Sequence, residues 1–250
     1  MIVMSRVSSY NFDLQQEQIL GRFLDKAYQA IYSQGSIGRV TNIDQQNQGI
    51  DLIYFKENNG LITNHNIDEK AQLTYLNKSL PTFAFELSYL LHGKTRKGWL
   101  FDANKLTEYY FLVTSIFLKN KIEKLVNESD IENCLITKVN RNNLILMLDN
   151  CLVNNPDSEK LLKEFEGEKL TEATLEKISE KLRLHINREN ITVKIKLNPN
   201  IKIVYSGWLA EQPINIVIYL DYLKEHVKNT AQNRFFTNSN GEVSCVRLKQ

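Results

Sequence analysis

Two carboxylates and a lysine have the residue types and spacing to do chemistry. Asp51 closes the stretch Gly49-Ile50-Asp51, and Asp68-Glu69-Lys70 follows beyond the turn signal Asn58-Asn59-Gly60. An Asp/Glu-x-Lys triplet occurs once in the whole chain, at Asp68. On a strand, alternate residues share a face. Asp68, Lys70 and Gln72 therefore point one way, and Ile67, Glu69 and Ala71 the other. Asp51 belongs to the neighbouring strand of the predicted hairpin, so the three side chains could converge. Paired carboxylates give hard oxygen ligands for Mg2+, for which Mn2+ can substitute. Such an ion polarises a phosphoryl oxygen and lowers the pKa of a bound water. A lysine ammonium then steadies developing negative charge. A one-residue slip would exchange Asp68 for Glu69 on that face, and both stay open. The same triplet on a solvated strand edge is also ordinary surface.

The elements around these residues set the expected frame. Asp13, with Gln16 three residues on, reads as a helix cap. Ile19, Leu20, Phe23, Leu24, Ala27, Tyr28 and Ile31 then recur at helical spacing. Ile50 to Phe55 and Leu61 to Leu73 read as a hairpin about the Asn-Asn-Gly turn. Thr82 to Leu90 alternates apolar and polar residues as a strand does. Residues 93–98 read as a basic hairpin tip leading to a short strand, Trp99 to Phe101. Asn104 is expected to cap a helix carrying Leu106, Tyr109, Tyr110, Val113, Ile116 and Phe117. The fold class is thus α/β: a helix, a central mixed sheet and a second helix over residues 1–120. An α+β half follows over 121–250, available for substrate contacts or dimerisation. There Cys134 to Val139 reads as a strand and Leu144 to Leu152 as strand or helix. Asp157 to Phe165 and Thr171 to Leu184 read as helices. Ile191 to Leu197, Ile201 to Tyr205 and Ile214 to Leu220 are β-like, and Asp221 to Thr230 is a short final helix.

This constellation resembles the PD-(D/E)XK nuclease superfamily, with its restriction-endonuclease-like fold, over roughly residues 10–118. The resemblance makes Asp51 the first acid, Asp68 the second and Lys70 the lysine, with Asp51 and Asp68 as metal ligands. It departs from the pattern twice: Ile50 stands at the proline position, and Asp68 stands where Glu is commoner. Acids on the first core helix assist metal binding in many members, which makes Glu17 an accessory candidate by position. Gln72 and Glu86 are further candidates for placing a ligand water. The resemblance implies a metal-dependent endonuclease acting on DNA, a restriction or other defence role, and a homodimer for a symmetric target. It leaves open RNA or branched DNA as substrate, and a nuclease-like subunit that binds without cutting.

Other chemistries find less support. The 31 Lys and Arg nearly balance 29 Asp and Glu, so bulk charge does not mark a nucleic-acid protein, although a local basic patch suffices. Lys94, Arg96 and Lys97 are such a patch, suited to phosphates, and equally a solvated turn. Cys134, Cys151 and Cys245 form no C-x-x-C pair, which argues against a structural zinc site and a disulfide framework. The four histidines lack metal-ligand spacing, and no G-x-S-x-G or P-loop occurs. No signal-like or membrane-length apolar run is seen, so the expectation is a cytoplasmic protein without membrane contact.

Overall fold

The apolar stripe from Leu20 to Tyr28 builds a long helix because it has a sheet to bury against. In the computed structural model, which describes residues 10–32, 36–153, 192–207 and 209–248, this is α1, Tyr10–Gln29. Asp13 lies inside this helix and does not cap it. Gln16 is buried, and its Oε1 accepts a bond from Leu125 N at 3.4 Å.

The strands following α1 are β1 (Ile37–Arg39), β2 (Leu52–Asn58) and β3 (Leu61–Ala71), with a short helix α2 (Ile43–Asn47) between the first two. β2 and β3 form the expected hairpin, with Leu52 opposite Ile67 and Asn58 opposite Leu61. Its two-residue loop, Asn59 at φ 51° and Gly60 at φ 79°, has the positive φ pair of a twisted hairpin turn.

The chain then leaves this sheet for β4 (Thr82–Leu91) and β5 (Lys94–Lys97) and returns as β6 (Tyr109–Leu118). β7 (Ile131–Asn140) and α3 (Arg141–Val153) follow. Next come β8 (Thr192–Asn198), β9 (Ile201–Ser206), β10 (Ile214–Tyr219), α4 (Leu220–His226), β11 (Ala231–Thr237) and β12 (Val243–Arg247).

Two sheets result. One has seven strands in the order β1-β2-β3-β6-β7-β11-β12, and the other five in the order β5-β4-β10-β9-β8. All neighbours are antiparallel except β3 and β6, which run parallel with Asp68 beside Tyr110. α1 covers one face of the larger sheet through Leu20, Phe23, Leu24, Leu52, Ile67, Phe111 and Phe235. The smaller sheet packs the opposite face, where Phe85, Ile203 and Ile216 meet Tyr110, Leu112 and Val139. The class is mixed α/β.

The expected helix over 106–117 is a strand, β6. It is buried on both faces, so its apolar residues run continuously and lose the alternation that marks a one-faced strand. Tyr, Phe, Val and Thr in that run favour a strand. The layer that a second helix was expected to fill is the five-stranded sheet. Asn104 caps no helix; its N–H bonds Asp102 Oδ1 at 2.9 Å in a turn. The strand near Trp99 is instead β5, and Lys94, Arg96 and Lys97 lie along it, with His92 and Gly93 at the tip. β7 extends the predicted 134–139 strand, the 144–152 run is α3, and the three later β-like runs are β8, β9 and β10. The predicted helices at 157–165 and 171–184 lie outside the described residues. Residue 120 falls between β6 and β7, which pair along most of their length, and both sheets draw strands from both sides of it.

Candidate functional site

Asp51 is locked at the mouth of the hairpin. Its N–H bonds Ile67 O at 2.9 Å, and its carbonyl accepts Val40 N–H at 2.8 Å. Its carboxylate Oδ2 accepts the Glu69 N–H at 2.8 Å. That last bond ties Asp51 to the backbone of the Asp68-Glu69-Lys70 triplet. Asp51 also lies close enough to Asp68 for its charge to act on the Asp68 carboxyl. Lys70 Nζ lies 2.6 Å from Asp68 Oδ1, with 30% of the lysine side chain exposed and 2% of the aspartate's. Asp68 Oδ1 nonetheless has no donor in hydrogen-bond alignment. Asp68 and Lys70 face the smaller sheet, and Glu69 turns toward α1.

Burial raises the Asp68 carboxyl to about 7. The Lys70 ammonium pulls it down, and the neighbouring Asp51 charge pushes it further up. Two like charges in one poorly hydrated place resist joint ionisation. Burial works against the Lys70 charge, but Asp68, Asp51 and Glu86 outweigh it and raise its pKa. The same ammonium stands 5.4 Å from the Trp99 ring centroid. Glu86 is raised to about 6 by burial, against the pull of Lys70. It is thus a fourth charged member of the cluster.

The remaining candidates divide. Glu17 lines a cleft of about 750 Å3 beside α1, shared with Gln46, Arg39, Asp51 and Lys70. Gln72 is turned away, its Nε2 bonding Thr82 O at 3.0 Å. Lys94, Arg96 and Lys97 are exposed on β5, an edge strand that leads into Trp99.

Several neighbours carried no signal in the sequence. Gly49 has φ +75°, and a Cβ there would collide with Thr107 Oγ1 and lie 3.5 Å from Asp68 Oδ2. Thr107 Oγ1 donates to Gly49 O at 2.8 Å, closing a roof over Asp68. Gly49→Ala should therefore cost about 1–3 kcal/mol from backbone strain and crowding. A lowered urea midpoint with unchanged slope is the expected readout, and an unchanged midpoint would show that the roof yields freely. On the α1 side, Glu69 is held by Arg39 Nη1 and by Tyr28 OH, the latter at 2.5 Å. Arg39 also pairs with Asp25 at 2.8 Å. These partners are distant in sequence, so only the folded chain reveals them.

The geometry defines a two-carboxylate, one-lysine centre at the end of a β-hairpin. Among the described residues, no group of three or more His, Cys, Asp or Glu forms a cage that would hold a metal ion. No family model matches the chain, and no curated protein or solved structure matches it. Among the described residues, no helix is long and apolar enough to cross a membrane.

Proposed function

We propose that this chain is a divalent-cation-dependent nuclease hydrolysing DNA phosphodiesters at Asp51, Asp68 and Lys70. The observation that carries the reading is the proximity of two carboxylates, Asp51 just before β2 and Asp68 on β3, the latter ion-paired to the lysine two residues on. Mg2+ keeps several waters and is commonly held by one or two protein carboxylates, so a pair suffices. The donor set fits in charge: two carboxylates repel unless a proton or cation stands between them, and Lys70 already offsets part of the Asp68 charge. Asp51 and Asp68 would hold the ion, which supplies an acidified water and a polarised phosphoryl oxygen. Lys70 places its positive charge where negative charge develops on the phosphate. Glu86 supports the charged state of Lys70, and the Glu69 N–H fixes the Asp51 carboxylate. Helix α1 over the hairpin, with β6 parallel to β3, agrees with a restriction-endonuclease-like reading of the first half, whereas the second helix of that reading is replaced by strand β6 and the five-stranded sheet. A restriction or defence role and a homodimer follow by family analogy.

A second reading is a nuclease-like subunit that binds nucleic acid without cutting. The depth of Asp68 beneath Gly49 and Thr107 favours it. The test is incubation with duplex DNA, single-stranded DNA and RNA in Mg2+, Mn2+ or EDTA. Metal-dependent cutting of duplex DNA is expected. Cutting of RNA alone overturns the DNA assignment, and duplex binding without cutting in any metal selects the second reading.

A further inference from the structure

Helix α1 ends at Gln29, and beyond it one face of the seven-stranded sheet carries side chains that are partly exposed among the described residues. Four neighbouring strands present side chains there. Tyr54 on β2 stands opposite His65 on β3, with ring centroids 6.2 Å apart and planes inclined by 21°. His65 meets the Tyr109 ring of β6 at 5.6 Å. Lys138 on β7 places its Nζ 4.1 Å from the Tyr109 ring centroid. Tyr32, just past α1, continues the row, 4.8 Å from Tyr54. All five are partly exposed.

The charge on this face is predominantly positive. Lys56 lies two residues from Tyr54 on the same face and is exposed, as is Arg247 on β12. Arg247 and Lys138 line a cavity of about 720 Å3 together with Tyr32 and Asn233. Burial and the neighbouring Lys56 charge both lower the Lys138 pKa, so these cations repel one another and would gain from a shared anion. Glu108, an acid beside this face, contacts His65 Nδ1 at 2.9 Å, and Glu69 is met by Arg39 and Tyr28.

We infer that this half-face, Tyr32-Tyr54-His65-Tyr109 with Lys56, Lys138 and Arg247, binds single-stranded nucleic acid, its rings stacking bases and its cations meeting phosphates. Aromatic side chains beside a cationic groove form the general platform for unpaired strands, because every base has a face to stack. A four-stranded sheet bearing aromatics takes two or three bases in one common RNA-binding module. The surface lies on the α1 side of the sheet, whereas Asp68 and Lys70 face the other, so the inference is independent of cleavage.

Fluorescence anisotropy with labelled oligo(dT), oligo(rU) and a duplex of equal length, all in EDTA, tests it without hydrolysis. Tighter binding of either single strand than of the duplex is expected, and the two single-stranded arms tell DNA from RNA. Tyr54→Ala should weaken that binding five- to hundredfold, while Tyr54→Phe retains it. Lys56→Gln should lower the salt slope by about 0.7. The exposed Lys56→Glu reports on the surface even if Tyr54→Ala fails to fold. Duplex binding equal to single-strand binding, no binding at all, or binding indifferent to Tyr54→Ala and Lys56→Glu overturns the inference. Asp68→Asn should leave this binding unchanged, which separates its fate from that of the nuclease reading.

Discussion

Asp68→Asn is expected to lower metal-dependent DNA cleavage by about 10²–10³-fold or more, the scale on which a single charge-stabilising group acts in a preorganised site. The urea midpoint is read alongside, because the same substitution takes the chief ion-pair partner from the Lys70 ammonium. With its carboxyl raised to about 7, Asp68 favours the neutral form in the folded chain. The stability it contributes is fully present below its unfolded pKa, about 3.9, and is lost as pH rises through about 7. An amide has no charge to bury, so removing the carboxylate relieves that part of the folding cost at pH 8. A cation on Asp51 and Asp68 must displace the proton that the raised Asp68 carboxyl holds, which makes binding pH-dependent. Mn2+ affinity should therefore rise as pH increases toward 7 and flatten above it in the unmodified protein, and stay weak and flat in Asp68→Asn. Mg2+ should raise the unmodified protein's urea midpoint at pH 8 far more than at pH 5. Equal Mn2+ titrations of the two proteins would falsify the metal assignment.

Which parts of this centre could be read from the chain follows from range. The hairpin was legible because its signals are local: alternation on each side of Asn59-Gly60, and Gly60 where the turn needs positive φ. Parity along β3 then separated Asp68 and Lys70 from Glu69, although it left the choice of acid open. The Asp51 bond to Glu69 N–H is a tertiary contact, and it is what brings the first acid beside Asp68. β6 was misread because sheet packing on both faces removes the period that separates helix from strand, leaving only propensity to decide. β1 and β12, the edge strands, and β11 beside β12 escaped notice because short strands rich in polar residues carry little hydrophobic pattern. Gln72 illustrates the limit of parity. β3 ends at Ala71, so the backbone turns before Gln72 and its side chain serves the Thr82 carbonyl instead.

Glu69 offers the sharpest stability test, because it sits beside the site while facing away from it. Its side chain is 11% exposed, and its charge is met by Arg39 and Tyr28. Burial raises its pKa, and Arg39 is the main force holding it down. Arg39→Ala strands that carboxylate. Breaking a fully buried pair costs about 3–5 kcal/mol. Arg39 is 30% exposed, so water screens part of the interaction and about 2–3 kcal/mol is the expected loss at pH 8. The sign with pH follows from the shift. A carboxyl raised in the folded state contributes stability that is present below its unfolded pKa and fades as pH rises through the folded one. Removing Arg39 widens that window upward, so the loss should be small at pH 5 and grow toward pH 8. Arg39→Ala/Glu69→Gln should recover much of it, since the amide needs no cation. Urea midpoints at the two pH values check this, and an equal loss at both, or no recovery in the double variant, would assign Arg39 to packing alone. The Glu69 N–H is also the donor that holds Asp51 Oδ2. A loosened Glu69 should therefore weaken Mn2+ binding even though no carboxylate ligand has been changed.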